Sequence, residues 1–461
     1  MNVTQPYNGA MKLKFIALMS LCLIFVVGLV AYLANPYLKS ATSYKAKAFC
    51  SEYFVARRTQ NDILANDFLR VHPIVSRAKV SVGQRSISGH GVVKGHVFGI
   101  MGRVTAVYRP GYGCVLDIGG PPVGYRLDRR RFKSTRWPVA TDGNIQALTE
   151  AFRSDAERDN PADIRAVVVV QDGVIVAEDY ADGFARNVPM QSWSMAKSVT
   201  QAMTAIAIDQ GLLALTDSAL MPDWTGDDPR AAITVADLLH MTDGLDFVED
   251  YGDPTSDVTR MLFGSRNMGL AASKAPLAHT PGTHWAYSSG TTNILSAVLR
   301  RAIEASGQDY HYWVYEHLFN PIGMRSPVFE TDACGTFIGS SYLYVSPHDW
   351  ARLGQLYLDD GIWDGQRVLP EGTVAYATTP SLPDSAPFYG AQWWLNKPMP
   401  DGWQRLPGLP DSAFFMGGHD GQMVIVIPSK NAVIVRLGMT RPPVDNDVDV
   451  MPGLAAIVDA L

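Results

Sequence analysis

Four cysteines in 461 residues are too few for a disulfide-dense secreted scaffold, and their spacing matches no zinc site. Gly-x-Ser-x-Gly occurs nowhere, which disfavours a nucleophile elbow between strand and helix. Concentrated positive charge is scarce. The net charge is -6, and the densest basic run, Arg129, Arg130, Arg131, Lys133 and Arg136, lies among Pro121, Pro122 and Pro138 and reads as a solvated linker. No nucleic-acid partner is expected from that balance. Internal repeats and low-complexity tracts are also missing.

What the chain does have is apolar residues, 47% of the total, enough for one large domain with additions or for two domains. One long hydrophobic run stands out. Residues Phe15 to Ala34 are uncharged, with Lys12 and Lys14 before them and Asn35-Pro36 after, long enough to span a bilayer. A cleaved signal peptide has a shorter apolar core, and no Ala-x-Ala site follows, so the run is expected to be an uncleaved transmembrane anchor. Lys39, Lys45 and Lys47 balance the lysines before it, leaving orientation open by charge alone. The expected division is a tail over 1–14, the anchor over 15–34, an N-terminal extension over 35–141 and the main domain over 142–461. Cys22 falls in the anchor. Cys50 and Cys114 both precede the main domain and form the disulfide candidate, with Cys334 free; unlinked thiols are the alternative. A bridge implies an oxidising compartment, hence a membrane-anchored protein with a periplasmic or extracellular domain.

The extension reads as a helix near Asn61 to Leu69 followed by short strands. In the main domain, Ala166 to Val170 and Val174 to Ala177 flank Asp172-Gly173, a strong hairpin signal, and Gln422 to Ile427 with Ala432 to Leu437 imply another. The text between is mainly helical, including Thr292 to Ser306. Strands at both ends with helices between predict one antiparallel sheet flanked by helices.

Ser194 and Lys197 sit one helical turn apart, at the head of a pattern in which Val199, Met203 and Ile206 recur before Gly211. A serine hydroxyl needs a neighbour to take its proton, and a desolvated neutral lysine can do so. The spacing alone is common. Ser76 and Lys79 repeat it, but among residues that read as extended.

Two further segments complete a candidate site. Tyr287, in His284-Trp285-Ala286-Tyr287-Ser288-Ser289-Gly290, precedes a helix and with a depressed pKa could relay a proton to a leaving group. Phe414 to Gln422 joins a strand to the last hairpin, and its Gly417-Gly418 lets a substrate lie against bare backbone. A backbone N–H there, with that of Ser194, would form an oxyanion hole. Placing the donor at His419 is preferred over Gln422 because it gives the shorter hairpin.

Ser194-x-x-Lys197, Tyr287-Ser288-Ser289 and Gly418-His419-Asp420-Gly421 follow the order found in serine β-lactamase-like hydrolases. From about Asn144 onward the chain resembles the class C β-lactamase-related branch, most of all its 6-aminohexanoate-dimer hydrolase-like members. Ile233 to Leu245, Tyr389 to Trp394 and Gly361 to Pro370 add to the likeness. The resemblance implies a β-lactamase/transpeptidase-like α/β (α+β) fold with a sheet domain, a helical domain and a cleft between. It implies an acyl-enzyme on Ser194, activated jointly by Lys197 and Tyr287 and hydrolysed by water without metal or cofactor. The expected activity is hydrolysis of a small amide or ester, such as an aminohexanoate-type amide or a D-amino-acid peptide; a cell-wall-sensing binding domain is the alternative. Two departures bear on substrate. Ser289 stands where class C enzymes have an asparagine, and no lysine or threonine of a Lys-Thr-Gly motif occupies the strand, which disfavours efficient β-lactam hydrolysis.

Overall fold

The computed structural model describes residues 8–83, 90–97, 99, 101–120, 137–154, 162–382, 384–444 and 449–461. The basic run from Arg129 to Arg136 lies outside them.

The chain begins with helix α1, Asn8–Phe54, which continues through Pro36. The sequence places a boundary at Asn35-Pro36, yet the helix crosses it and brings Lys39, Lys45, Lys47 and Glu52 into the same element. Among the described residues no helix is long and apolar enough to cross a membrane. The expected anchor over 15–34, and with it the membrane-anchored localisation, is therefore corrected. The second half of α1 belongs to the folded body: Ala46, Phe49, Cys50 and Phe54 are buried. Helices α2, Gln60–Asn66, and α3, Pro73–Arg77, follow, then strands β1, Lys79–Val82, β2, Gly91–Val97, β3, Met101–Arg109, and β4, Gly113–Leu116, in an antiparallel sheet of that order.

Two connections fasten α1 in place. Cys50 and Cys114 form a disulfide that joins it to β4. The buried Glu330 carboxylate accepts from Lys47, from the Ser51 hydroxyl at 2.8 Å and from the Cys114 N–H at 2.6 Å. A carboxylate with three donors compensates the cost of burial that an unpaired charge would carry.

Among the described residues the main sheet has six strands. Strands β5, Ile164–Gln171, and β6, Val174–Tyr180, form the first hairpin, with Asp172 and Gly173 at φ of 51° and 73°, as a two-residue turn of this hand requires. The C-terminal strands Gln422–Ile427 and Ala432–Gly438 form the second, and Ala432–Gly438 pairs with β5, so strands from the start and the end of the main domain meet in one antiparallel sheet. Both faces of β5 are covered, which explains its uninterrupted valines. Val168 and Val170 pack toward helix α5, Ala196–Asp209, and the helix Pro347–Leu358. Val167 and Val169 pack toward helix α4, Gly143–Ser154, and the helix Met451–Ala460. A separate, mainly helical core gathers Leu238, Leu239, Val258, Leu262, Ile294 and Leu295, and takes in Phe49, Cys50 and Phe54 of α1. The cleft lies between the sheet body and this helical body.

Candidate active site

Ser194 sits in a tight turn, Trp193–Met195, that leads directly into α5. Ser192 pins the chain before it, donating its N–H to the Leu343 carbonyl at 2.8 Å while its hydroxyl accepts from the Leu343 N–H at 3.2 Å. Trp193 then takes φ of 45°, a left-handed conformation uncommon for a bulky residue. Its buried ring is held by Tyr44 of α1, stacked with centroids 6.4 Å apart, and by Tyr251 and His419 edge-on.

Lys197 is fully buried below this turn, with Nζ 3.1 Å from Ser194 Oγ, 3.0 Å from Ser289 Oγ and 3.1 Å from the Ser340 carbonyl. Burial pulls its pKa down to about 8, against the opposing pull of Glu249. Ser289 begins the helix Ser289–Ala305, which Ser288 caps by accepting the Thr291 N–H at 3.0 Å. The Glu249 carboxylate lies at that helix start, taking the Ser289 N–H at 2.8 Å and its hydroxyl at 2.5 Å.

Tyr287 shares a hydrogen bond with Ser194, and the Lys197 ammonium lies 4.7 Å from its ring centroid. Burial pushes its phenol up, and the Glu249 charge adds to that, beyond what Ser194 and Arg405 lower. The depressed pKa expected for Tyr287 is thus reversed: with burial dominant, it is a phenol at neutral pH. Its ring stacks on Trp394, with Tyr389 edge-on at 5.9 Å.

On the opposite wall runs the strand Phe414–Gly418. A Cβ on Gly418 would come 2.3 Å from the Ser192 carbonyl oxygen, so glycine is what lets this strand end approach the nucleophile turn. His419 follows, half-exposed and stacked on Tyr251 at 5.1 Å. Asp420, at φ of 59°, is held by Arg441 at 3.0 and 2.8 Å.

Ser194, Tyr287, Gly418 and His419 line one cavity of about 780 Å³, and Lys197 and Ser289 lie beneath Ser194. Ser76 and Lys79, the competing pair, are exposed at the end of α3 and the start of β1, and neither lines it. Glu249, Tyr251 and Arg405 also line the cavity and are not singled out by sequence reasoning. Glu249 and Tyr251 sit in a polar loop without periodicity, and Arg405 lies in a loop ahead of the strand with its guanidinium 3.9 Å from the Trp394 centroid. The strand lacks a lysine, yet a cation does reach this cleft. Its only forewarning in sequence is the aromatic company of Trp403.

A family model described as Beta-lactamase matches residues 161–456. The chain is 25% identical over 308 residues to the 6-aminohexanoate-dimer hydrolase of Paenarthrobacter ureafaciens, covering 60% of this chain and 73% of that one. Among solved structures, a Bacillus anthracis protein assigned as a 6-aminohexanoate-dimer hydrolase superposes with a TM-score of 0.58 at 21% identity, over 71% of this chain and 87% of that one. A class C β-lactamase mutant does so with a TM-score of 0.51 at 16% identity, over 70% and 100%. The match over most of the main domain, on a fold that these structures share, means that this chain belongs to the beta-lactamase family and is an enzyme of its serine hydrolase class.

Proposed function

We propose that the enzyme hydrolyses a small amide or ester through an acyl-enzyme on Ser194, with Lys197 and Tyr287 moving the protons. One observation carries this reading, the set of partners around Lys197. A neutral lysine has two N–H donors and one lone pair. The Ser340 carbonyl can only accept, and the Ser289 hydroxyl is committed as donor to Glu249. Only the Ser194 hydroxyl, at 3.1 Å, is left to donate to the lone pair. Glu249 and Ser289 therefore act as positioning residues for the base.

The steps follow from those assignments. Ser194 Oγ attacks the substrate carbonyl carbon as its proton passes to Lys197 Nζ. The oxyanion lies between the backbone N–H groups of Ser194 and His419, beside Gly418. Tyr287, protonated at neutral pH, gives its proton to the departing nitrogen or oxygen and is reprotonated from Lys197. Water then adds to the acyl carbon with Lys197 again taking the proton, and the ester bond to Ser194 breaks as Lys197 passes that proton to Oγ, releasing the acid and restoring the free enzyme. Linear amides of the aminohexanoate type, D-amino-acid peptides and simple esters all present the carbonyl and leaving group this requires.

A labelled fluorophosphonate, applied to wild type and Ser194→Ala alongside p-nitrophenyl acetate turnover, tests the reading. Labelling and turnover are expected to vanish together in the variant. Equal labelling of Ser194→Ala would remove Ser194 from the role, and stable labelling without turnover would support a covalent sensor instead.

A further inference from the structure

The residues that match the family model begin at 161, yet part of the catalytic cavity is built by residues far upstream of that point. Ala41 and Tyr44 of α1 and Val75 of α3 line it together with Trp193, Tyr251 and Phe263. Tyr44 stacks on Trp193 and meets the Phe263 ring edge-on at 5.6 Å, so this end is an aromatic and aliphatic compartment immediately beside the nucleophile turn. Of the ionic groups that border it, which include Arg70, the Arg441 guanidinium grips both oxygens of Asp420 and donates to the carbonyls of Asp67 and Leu69. A charged ligand would find no free counter-ion in that pair. An apolar one would be covered on several sides.

The direction of the substrate follows from Tyr287. A leaving group has to lie where that hydroxyl can protonate it, at the end of the cavity that Tyr287 shares with Trp394 and Arg405. The acyl arm then extends the other way, past Trp193 toward Tyr44. At about 780 Å³ the cavity has the size that takes a whole small ligand, far more than an acetyl group fills.

From this geometry we infer that the enzyme acts on esters or amides of medium-length, unbranched apolar acyl groups, and that the N-terminal extension supplies the wall of the acyl subsite. The inference rests on the acyl-enzyme reading above and adds the substrate class. Each methylene removed from water into such a site favours binding by up to about fourfold, so transition-state binding should rise along a homologous series until the compartment is full.

The test uses the full-length chain and p-nitrophenyl acetate, butyrate, octanoate and dodecanoate. The expected result is a kcat/KM for octanoate at least about tenfold above that for acetate. Ala41→Trp and Val75→Trp fill the compartment from two different elements, and each is expected to lower the octanoate-to-acetate ratio by about tenfold. Phe263→Ala enlarges it and should move the optimum toward dodecanoate. Fluorophosphonate labelling of each variant reports whether it is folded, and ratios are compared only among variants that label. A wild-type enzyme that prefers acetate, or ratios unchanged in both labelled tryptophan variants, overturns the inference. So does a preference for octyl acetate over ethyl acetate without any preference among acyl chains, which would put the apolar arm on the leaving-group side. Acetate turnover that survives Ser194→Ala instead removes the acyl-enzyme reading itself, so the two failures are distinct.

Discussion

The Glu249 carboxylate holds both the backbone N–H and the hydroxyl of Ser289, at 2.8 and 2.5 Å. Those two bonds fix which way the Ser289 hydroxyl points, and through it which way Lys197 presents its lone pair. Glu249→Gln is therefore expected to lower kcat by roughly tenfold or more, a fraction of what a general base contributes. It should also move the acidic limb of the pH profile. Glu249 raises the Lys197 pKa, so removing its charge lets the lysine lose its proton at lower pH. A limb that stays in place with wild-type kcat would remove Glu249 from the mechanism, and Glu249→Asp should partly restore activity.

On the proposed mechanism the wild-type pH dependence is set by the same lysine. Its pKa of about 8 means that activity toward p-nitrophenyl acetate should climb from pH 7 to pH 9 as Lys197 becomes neutral. Lys197→Ala should cost about 10²- to 10⁴-fold and abolish that limb. A flat profile across this range in the wild type would mean that another group takes the proton.

Tyr287→Phe separates the two halves of proton transfer. A p-nitrophenolate departs without help, whereas an amide nitrogen has to be protonated first. The variant should thus lose about 10²-fold or more on a linear amide and far less on the p-nitrophenyl ester. Equal losses on both would point to a role for Tyr287 in serine activation.

Nitrocefin is expected to turn over more slowly than p-nitrophenyl esters, because the strand Phe414–Gly418 carries no lysine or threonine to receive a β-lactam carboxylate. The cleft does contain Arg405. Rapid nitrocefin turnover that disappears in Arg405→Ala would show that this arginine substitutes for the missing strand lysine.

Cys114→Ser tests how α1 is fastened. A sequence separation of 64 between the cysteines puts the expected loss at about 2–5 kcal/mol, read as a lower denaturation midpoint. An unchanged midpoint, with intact wild-type protein showing free thiols under non-reducing mass spectrometry, would remove the bridge from the account.

How much of this could be read from sequence depended on how local each signal is. Both hairpins were legible because Asp172-Gly173 and Pro428 to Asn431 set turn geometry within a few residues. Ser194 and Lys197 were legible for the same reason, being one turn apart on one segment. Glu249 was not, since it stands 40 positions before Ser289 and nothing in its loop announces the contact. The raised phenol of Tyr287 was missed because burial among Trp394 and Tyr389 is a tertiary fact that a loop sequence does not reveal. Ser289 was read as the loss of an amide; its hydroxyl lies 3.0 Å from Lys197 Nζ, a contact that sequence does not announce. At the N-terminus, Asn35-Pro36 reads as a stop, yet α1 runs through it because the residues beyond pack into the body.

Tyr44, which stacks on Trp193, lies outside residues 161–456, the stretch that matches the family model, whereas Ser194, Lys197 and Tyr287 lie inside it. On the inferred acyl subsite, mutations in the first helix would reshape what the enzyme accepts while every catalytic side chain stays as it is. Two homologues with identical Ser, Lys and Tyr positions would then differ in diet, and the difference would be written more than a hundred residues upstream of the serine.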